Sequence, residues 1–167
     1  MKNKKTLVLL RHAKSSWKDP GLDDQERPLN GRGRRNAAQM GRLTKDQDLV
    51  PRLVLCSTAL RTRETAALFF AEWNVSPSTE YRDDLYHAEP VQIEGILNSV
   101  DDSVESLMII GHNPGLEEFL TQHTGNSIIM PTAALARVDF ELDSWSQFTT
   151  STQGTLIHVW RPKEFGF

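Results

Sequence analysis

Apolar residues fall along this chain in short uninterrupted runs, not in strict alternation. The first spans Thr6-Leu7-Val8-Leu9-Leu10 and ends abruptly in Arg11, His12, Ala13 and Lys14. Such a run suits a strand covered on both faces, as in a parallel sheet flanked by helices. Leu53-Val54-Leu55-Cys56 and Ser106-Leu107-Met108-Ile109-Ile110 are two more, ended by Ser57-Thr58 and by Gly111-His112-Asn113-Pro114. Between them the spacing turns helical. Asn30 as N-cap predicts a helix from Gly31 to about Asp46, packed through Ala37, Ala38, Met40, Gly41 and Leu43. A second is expected from Ala59 to about Trp73, burying Leu60, Ala67, Leu68 and Ala71, and a third opens at Pro90 ahead of Ile93, Ile96 and Leu97. A fourth runs from Pro114 to about Thr124, with Asn113 as N-cap and Gly125 as its stop. Glu80 to Leu85 reads as a short exposed strand or turn. Ala134 to Leu142 and Thr155 to Trp160 carry β-branched and aromatic residues, and predict an antiparallel hairpin at the sheet edge.

The expected class is therefore α/β: a three-layer α/β/α sandwich with a mostly parallel central sheet and an antiparallel edge hairpin. A chain of 167 residues suits one domain, residues 1–167, with a sizeable core. The single cysteine, Cys56, permits no intramolecular disulfide and fits a reducing compartment. The basic start, Met1 to Lys5, resembles a signal-peptide n-region, but the apolar run behind it is too short for an h-region. No stretch approaches a membrane span. A soluble cytoplasmic protein with no membrane partner is expected.

A net charge of −3 argues against nucleic acid as a partner. The arginines are nonetheless clustered: Arg27, Arg32, Arg34, Arg35 and Arg42 in one segment, Arg61 and Arg63 in another. A local positive pocket on an acidic protein favours a small or protein-borne anion. Two expected strands end in histidines, His12 and His112, and a third feeds the helix whose first turn carries Arg61. Ligands of open α/β sheets bind beyond such strand ends, and helix N-termini favour anions. Arg11, Arg61, His12 and His112 meeting at one sheet edge would hold a tetrahedral dianion. The histidines lack the close pairing of a metal site, and no Gly-x-Gly-x-x-Gly follows the first strand to bind a dinucleotide.

Arg11-His12-Ala13, then Pro28-Leu29-Asn30-x-x-Gly33, then Cys56-Ser57-Thr58-Ala59-Leu60-Arg61-Thr62-x-x-Thr65-Ala66, then Gly111-His112-Asn113-Pro114 resembles, in that order, the histidine phosphatase (phosphoglycerate-mutase-like) superfamily. The short chain and Arg11-His12-Ala13-Lys14-Ser15-Ser16-Trp17 look like the SixA-type phosphohistidine phosphatases. The resemblance implies that His12 is a nucleophile forming a phosphohistidine intermediate, with Arg11 and Arg61 clamping the phosphoryl oxygens and His112 donating to them. It calls for no metal and no organic cofactor. Ala13 and Lys18 stand where many relatives carry a glycine and a phosphate-contacting asparagine. The general acid, usually a carboxylate between the Arg61 and His112 motifs, is sought in Asp83 to Glu89, with Glu89 preferred. Ser15, Gly33 and Asn113 are further candidates for substrate contact, Gly33 because a glycine lets a ligand approach the backbone.

The leading expectation is a phosphatase acting on protein phosphohistidine, for example on a histidine phosphotransfer domain. A phosphoramidate tolerates a missing acid better than an alkyl ester does, and the chain lacks the long insertions that build a specificity cap in larger relatives. The alternatives are a small phosphoester as substrate, or a phospho-ligand binding module without turnover. His123 and His158 are expected to be structural or surface residues, Cys56 a core residue, and Arg32, Arg34 and Arg35 a solvated helix face. His87 reads as a loop histidine, and no oligomeric state follows from the pattern.

Overall fold

The computed structural model describes residues 3–167. Its strands are β1 (Lys4–Arg11), β2 (Leu53–Ser57), β3 (Ser78–Arg82), β4 (Ser106–Gly111), β5 (Leu135–Glu141) and β6 (Thr155–Trp160). Its helices are α1 (Gly31–Asp46), α2 (Leu60–Trp73), α3 (Pro90–Asn98) and α4 (Gly115–Thr124). They build one six-stranded sheet in the order β3-β2-β4-β1-β5-β6. The first four strands of that order are parallel; β5 pairs antiparallel with β1, and β6 with β5. This is the expected α/β architecture, edge hairpin included.

Side chains of β1 alternate between two apolar layers. Leu7 and Leu9 pack among Ile93, Ile96, Leu116 and Phe119 of α3 and α4. Val8 and Leu10 pack among Ala37, Met40, Ala66 and Phe69 of α1 and α2. Each fully buried leucine contributes roughly 1.5–3 kcal/mol of transfer free energy, and burial on both faces is what the unbroken apolar run reported. Parallel register brings Arg11 level with Gly111 and Cys56 level with Ile110, so β1, β2 and β4 end at one edge.

The structure corrects two details of the sequence reading. α2 buries Arg61, Thr62, Thr65, Ala66, Phe69 and Trp73; Ala67 and Ala71 are exposed. Residues 61, 65, 69 and 73 recur every four positions and form one stripe, so the inward turn of Arg61 fixes which aromatics pack below it. Thr62 and Thr65 tolerate burial because their hydroxyls donate to backbone carbonyls of Ser57, Ala59 and Arg61. Asn113 does not cap α4. Its amide nitrogen donates to Glu117 Oε1 and to the Met130 carbonyl, both at 2.9 Å, and Pro114 takes the cap position.

Candidate active site

Beyond the ends of β1, β2 and β4 lies a cavity of about 330 Å³, lined by Arg11, His12, Ser15, Asp24, Arg27, Arg61, His87 and His112 among others. β1 delivers His12 at its tip. The Ala133 amide donates to the carbonyls of both Arg11 and His12, and the Ala13 amide donates to Thr65 Oγ1 of α2 at 3.0 Å. His12 Nδ1 lies 2.8 Å from the Ala13 carbonyl. A carbonyl only accepts, so Nδ1 carries the proton and Nε2 keeps a free lone pair. The ring stays neutral: its pKa falls from 6.5 to about 4, first through burial and then through Arg61, Arg11 and Arg27, with the Ala13 hydrogen bond opposing.

β4 delivers His112, whose ring centre is 5.2 Å from that of His12. Its Nε2 is 2.8 Å from Ser57 Oγ, and its Nδ1 is 3.4 Å from Arg61 Nη2. Since arginine can only donate, Nδ1 is the acceptor and Nε2 the donor to Ser57. Burial, then His12, Arg61 and His87, pull its pKa down to about 2 against the pull of Asp24.

The arginines converge from three elements. Arg11 Nη1 donates to the Met130 carbonyl at 3.0 Å. Arg61, buried in the first turn of α2, donates to Asp24 through Nη1 and Nη2. Arg27 is buried beneath Trp17, with Cζ 3.5 Å from the indole ring centre, and donates to Ser15 Oγ at 2.8 Å and to Asp24 Oδ1 at 3.0 Å. The Nε groups of Arg11 and Arg61 and the Oδ1 of Asn113 are buried with no hydrogen-bond partner among the described residues. Buried donors without partners are uncommon and mark a place for an acceptor.

Of the expected site residues, Arg11, His12, Ser15, Arg61, His112 and Asn113 line this cavity. Glu89 does not. It opens α3 in a capping box with Gln92 and lines an adjoining cleft, which shares His87 and Asn113 with the cavity. Gly33 has a different use: a Cβ there would overlap the Lys14 carbonyl, so the glycine lets α1 approach the loop that follows β1. Its N–H donates to Asn30 Oδ1, which is the expected N-cap.

The carboxylate in the cavity is Asp24, from the loop after β1. Its Oδ1 accepts from Arg27; its Oδ2 accepts from Arg61 at 3.0 Å and Tyr86 Oη at 2.5 Å, and lies 3.3 Å from His87 Nε2. Partial burial raises its proton affinity, but the hydrogen bonds from Tyr86, Arg61 and Arg27 outweigh that and hold the carboxyl well below the usual range. It is ionised at neutral pH. Asp24, Arg27, Ser57 and Tyr86 were not selected from the sequence as site residues. The local signal was Asp24-x-x-Arg27, an opposite-charge pair directly before Pro28-Leu29. Cys56 is a core thiol, pushed up to about 12 by burial. Among the described residues, no group of three or more His, Cys, Asp or Glu side chains is placed to hold a metal ion, and no helix is long and apolar enough to cross a membrane.

An edge of paired histidines and arginines above a parallel sheet suits a phosphoryl group, and comparison with known proteins identifies the family. The profile of the histidine phosphatase superfamily (branch 1) matches residues 7–104, and the chain belongs to that family. It is 33% identical over 150 residues to a chloroplastic protein of Arabidopsis thaliana, a match covering 84% of this chain and 69% of the relative. A crystal structure assigned as the phosphohistidine phosphatase SixA of Agrobacterium tumefaciens superposes with a TM-score of 0.82 at 30% identity, covering 95% of this chain and 98% of the other. The same fold, at a TM-score of 0.70 and 15% identity, occurs in an Escherichia coli protein assigned as an alpha-ribazole-5'-P phosphatase, with 96% and 98% covered. The protein is a phosphatase of this superfamily.

Proposed function

We propose that residues 1–167 form a single catalytic domain that hydrolyses protein phosphohistidine, without a metal, through a phosphohistidine intermediate on His12. The Nε2 lone pair of His12 attacks phosphorus, and the N–P bond to the substrate imidazole breaks. The departing imidazole takes its proton from solvent. Water then attacks the phosphoenzyme, releasing phosphate and restoring the lone pair. Arg11, Arg61 and Arg27 neutralise the phosphoryl oxygens. Entry of a dianion raises the proton affinity of His112, whose Nδ1 then takes a proton from solvent, gives up its contact with Arg61 and donates to the same group. Ser15 and Asn113 shape the floor of the binding site.

One observation carries the substrate class: the carboxylate beside the nucleophile, Asp24, is held ionised by its donors and offers no proton. An alkoxide leaving group needs such a proton, whereas a leaving imidazole is protonated near neutral pH. The likeness to the structure assigned as SixA supports the same reading. The partner is then a phosphorylated protein such as a histidine phosphotransfer domain, met in the cytoplasm. The likeness in fold to a protein assigned to a small phosphoester keeps that substrate as the second reading.

The test follows phosphate release, with EDTA present, from a phosphohistidine-bearing phosphotransfer domain and from p-nitrophenyl phosphate, with His12→Ala beside the native protein. Release from the phosphoprotein that vanishes in the variant is the expected result. Turnover of the ester alone would refute the substrate class, and loss of neither activity in the variant would refute the nucleophile.

A further inference from the structure

A second cavity, of about 260 Å³, adjoins the catalytic one and shares Thr132 with it. Pro131, Pro162 and Phe167 supply apolar walls, and Arg32 and Lys163 stand at its edge. Arg161 is paired with Glu164 at 3.1 Å, but Arg32 and Lys163 enter no ion pair among the described residues. Asn36, one helical turn after Arg32, also lines the cavity. The residue is 6% exposed, and it presents its amide as a polar group on the cavity wall.

The surface around the two cavities is unusual in a second way. Trp17 and Ile129, each 71% exposed, are the most exposed large apolar side chains described. Trp17 borders the catalytic cavity. Ile129 is tied to the second one, because its carbonyl accepts from Arg161 Nε at 2.9 Å. Single exposed apolar residues are ordinary, but two flanking adjoining cavities beside unpaired cations have the composition of a docking surface.

We propose that this second cavity receives an apolar side chain, flanked by acidic residues, from the same protein that presents the phosphohistidine. The proposal rests on the phosphoprotein reading of the catalytic site. Side chains three or four apart on a helix are neighbours, about 5–6 Å between Cβ atoms. A helix presenting phosphohistidine at the catalytic cavity therefore carries a neighbouring side chain past Thr132 and into the second. Acidic groups beside that side chain meet Arg32 and Lys163, and the Asn36 amide meets a polar atom of the guest. The cations steer the encounter, so they act on association more than on the chemical step.

The Arg32→Glu/Lys163→Glu variant tests this, since both positions are exposed and neither belongs to the catalytic cavity. Turnover of a phosphohistidine-bearing phosphotransfer domain and of phosphoramidate would be compared at low and moderate salt. For the phosphoprotein, the variant is expected to raise KM about tenfold, with kcat retained and the salt dependence of kcat/KM reversed. Phosphoramidate turnover stays at the native level. An unchanged KM for the phosphoprotein, or an equal loss on both substrates, overturns the docking site while leaving the phosphoprotein reading intact. If the native protein leaves the phosphoprotein untouched, that reading falls and the docking site with it.

Discussion

Asp24 holds both terminal nitrogens of Arg61: its backbone carbonyl accepts from Nη1 at 2.7 Å and its carboxylate accepts from Nη2 at 3.0 Å. A loop residue thus orients a helix residue, and it places one negative charge where the arriving phosphoryl group needs positive charge. Two opposed effects follow from one contact. The guanidinium is held in place, and the carboxylate charge is expected to oppose an incoming anion.

Asp24→Asn keeps the shape and removes the charge. Inorganic phosphate is expected to inhibit this variant about tenfold more strongly, because a screened charge a few ångströms away is worth on the order of 1 kcal/mol at a half-open site. Competitive inhibition constants for phosphate, native against variant, check this. Equal constants would mean that the carboxylate does not oppose the incoming anion.

The acid limb of the rate profile reports His12. A protonated imidazole has no lone pair to attack with, so kcat/KM falls as pH drops through the pKa of the free enzyme. Burial and the arginines lower that value to about 4. The limb is therefore expected near pH 4 and not near 6.5, with full activity retained between them. A limb at 6.5 would mean that the free ring is solvated.

Gly33→Ala brings a Cβ into the Lys14 carbonyl, which belongs to the backbone and has little room to yield. The amide of Asn30 donates to that same carbonyl at 2.9 Å, so α1 and the loop after β1 must part. A loss of about 1–3 kcal/mol in unfolding free energy is expected, together with weaker phosphate binding from the displaced Ser15. Denaturant unfolding and phosphate inhibition measured on one preparation test both.

Far from the cavity, His123 is fully buried, with Nδ1 2.7 Å from the Thr152 carbonyl and Nε2 3.0 Å from Glu94 Oε1. The same oxygen accepts from Gln122 Nε2 at 2.7 Å. Glu94→Ala leaves the Nε2 of a buried imidazole without its partner and should cost about 1–3 kcal/mol, without changing kcat on phosphoramidate. A midpoint shift in urea that falls short of this would show that the site collapses around the gap.

Where the covalent sequence controls position directly, the site was legible from it. His12 and His112 each follow an unbroken apolar run, and parallel pairing of β1 with β4 carries such tips to one edge. Arg61 follows β2 by a few residues, so α2 could only start beside them. Burial on both faces drives those runs into the sheet, and that force is written in residue type and order.

The rest depended on partners distant in sequence. Glu89 lies in the segment where a carboxylate was expected, but it opens α3 in a capping box. Asp24 was reached through Tyr86 and Arg61, 62 and 37 residues away. The face of α2 was misjudged for a related reason: aliphatic content pointed to Leu68 and Ala71, while Arg61 had to turn inward and carried Phe69 and Trp73 with it. The sequence by itself determined the layers, the strand ends and the paired histidines, because local hydrophobic pattern selects elements. Only the tertiary structure decided which carboxylate shares the cavity with His12 and whether it is ionised, because hydrogen bonds and charge act through space and take no account of the distance along the chain.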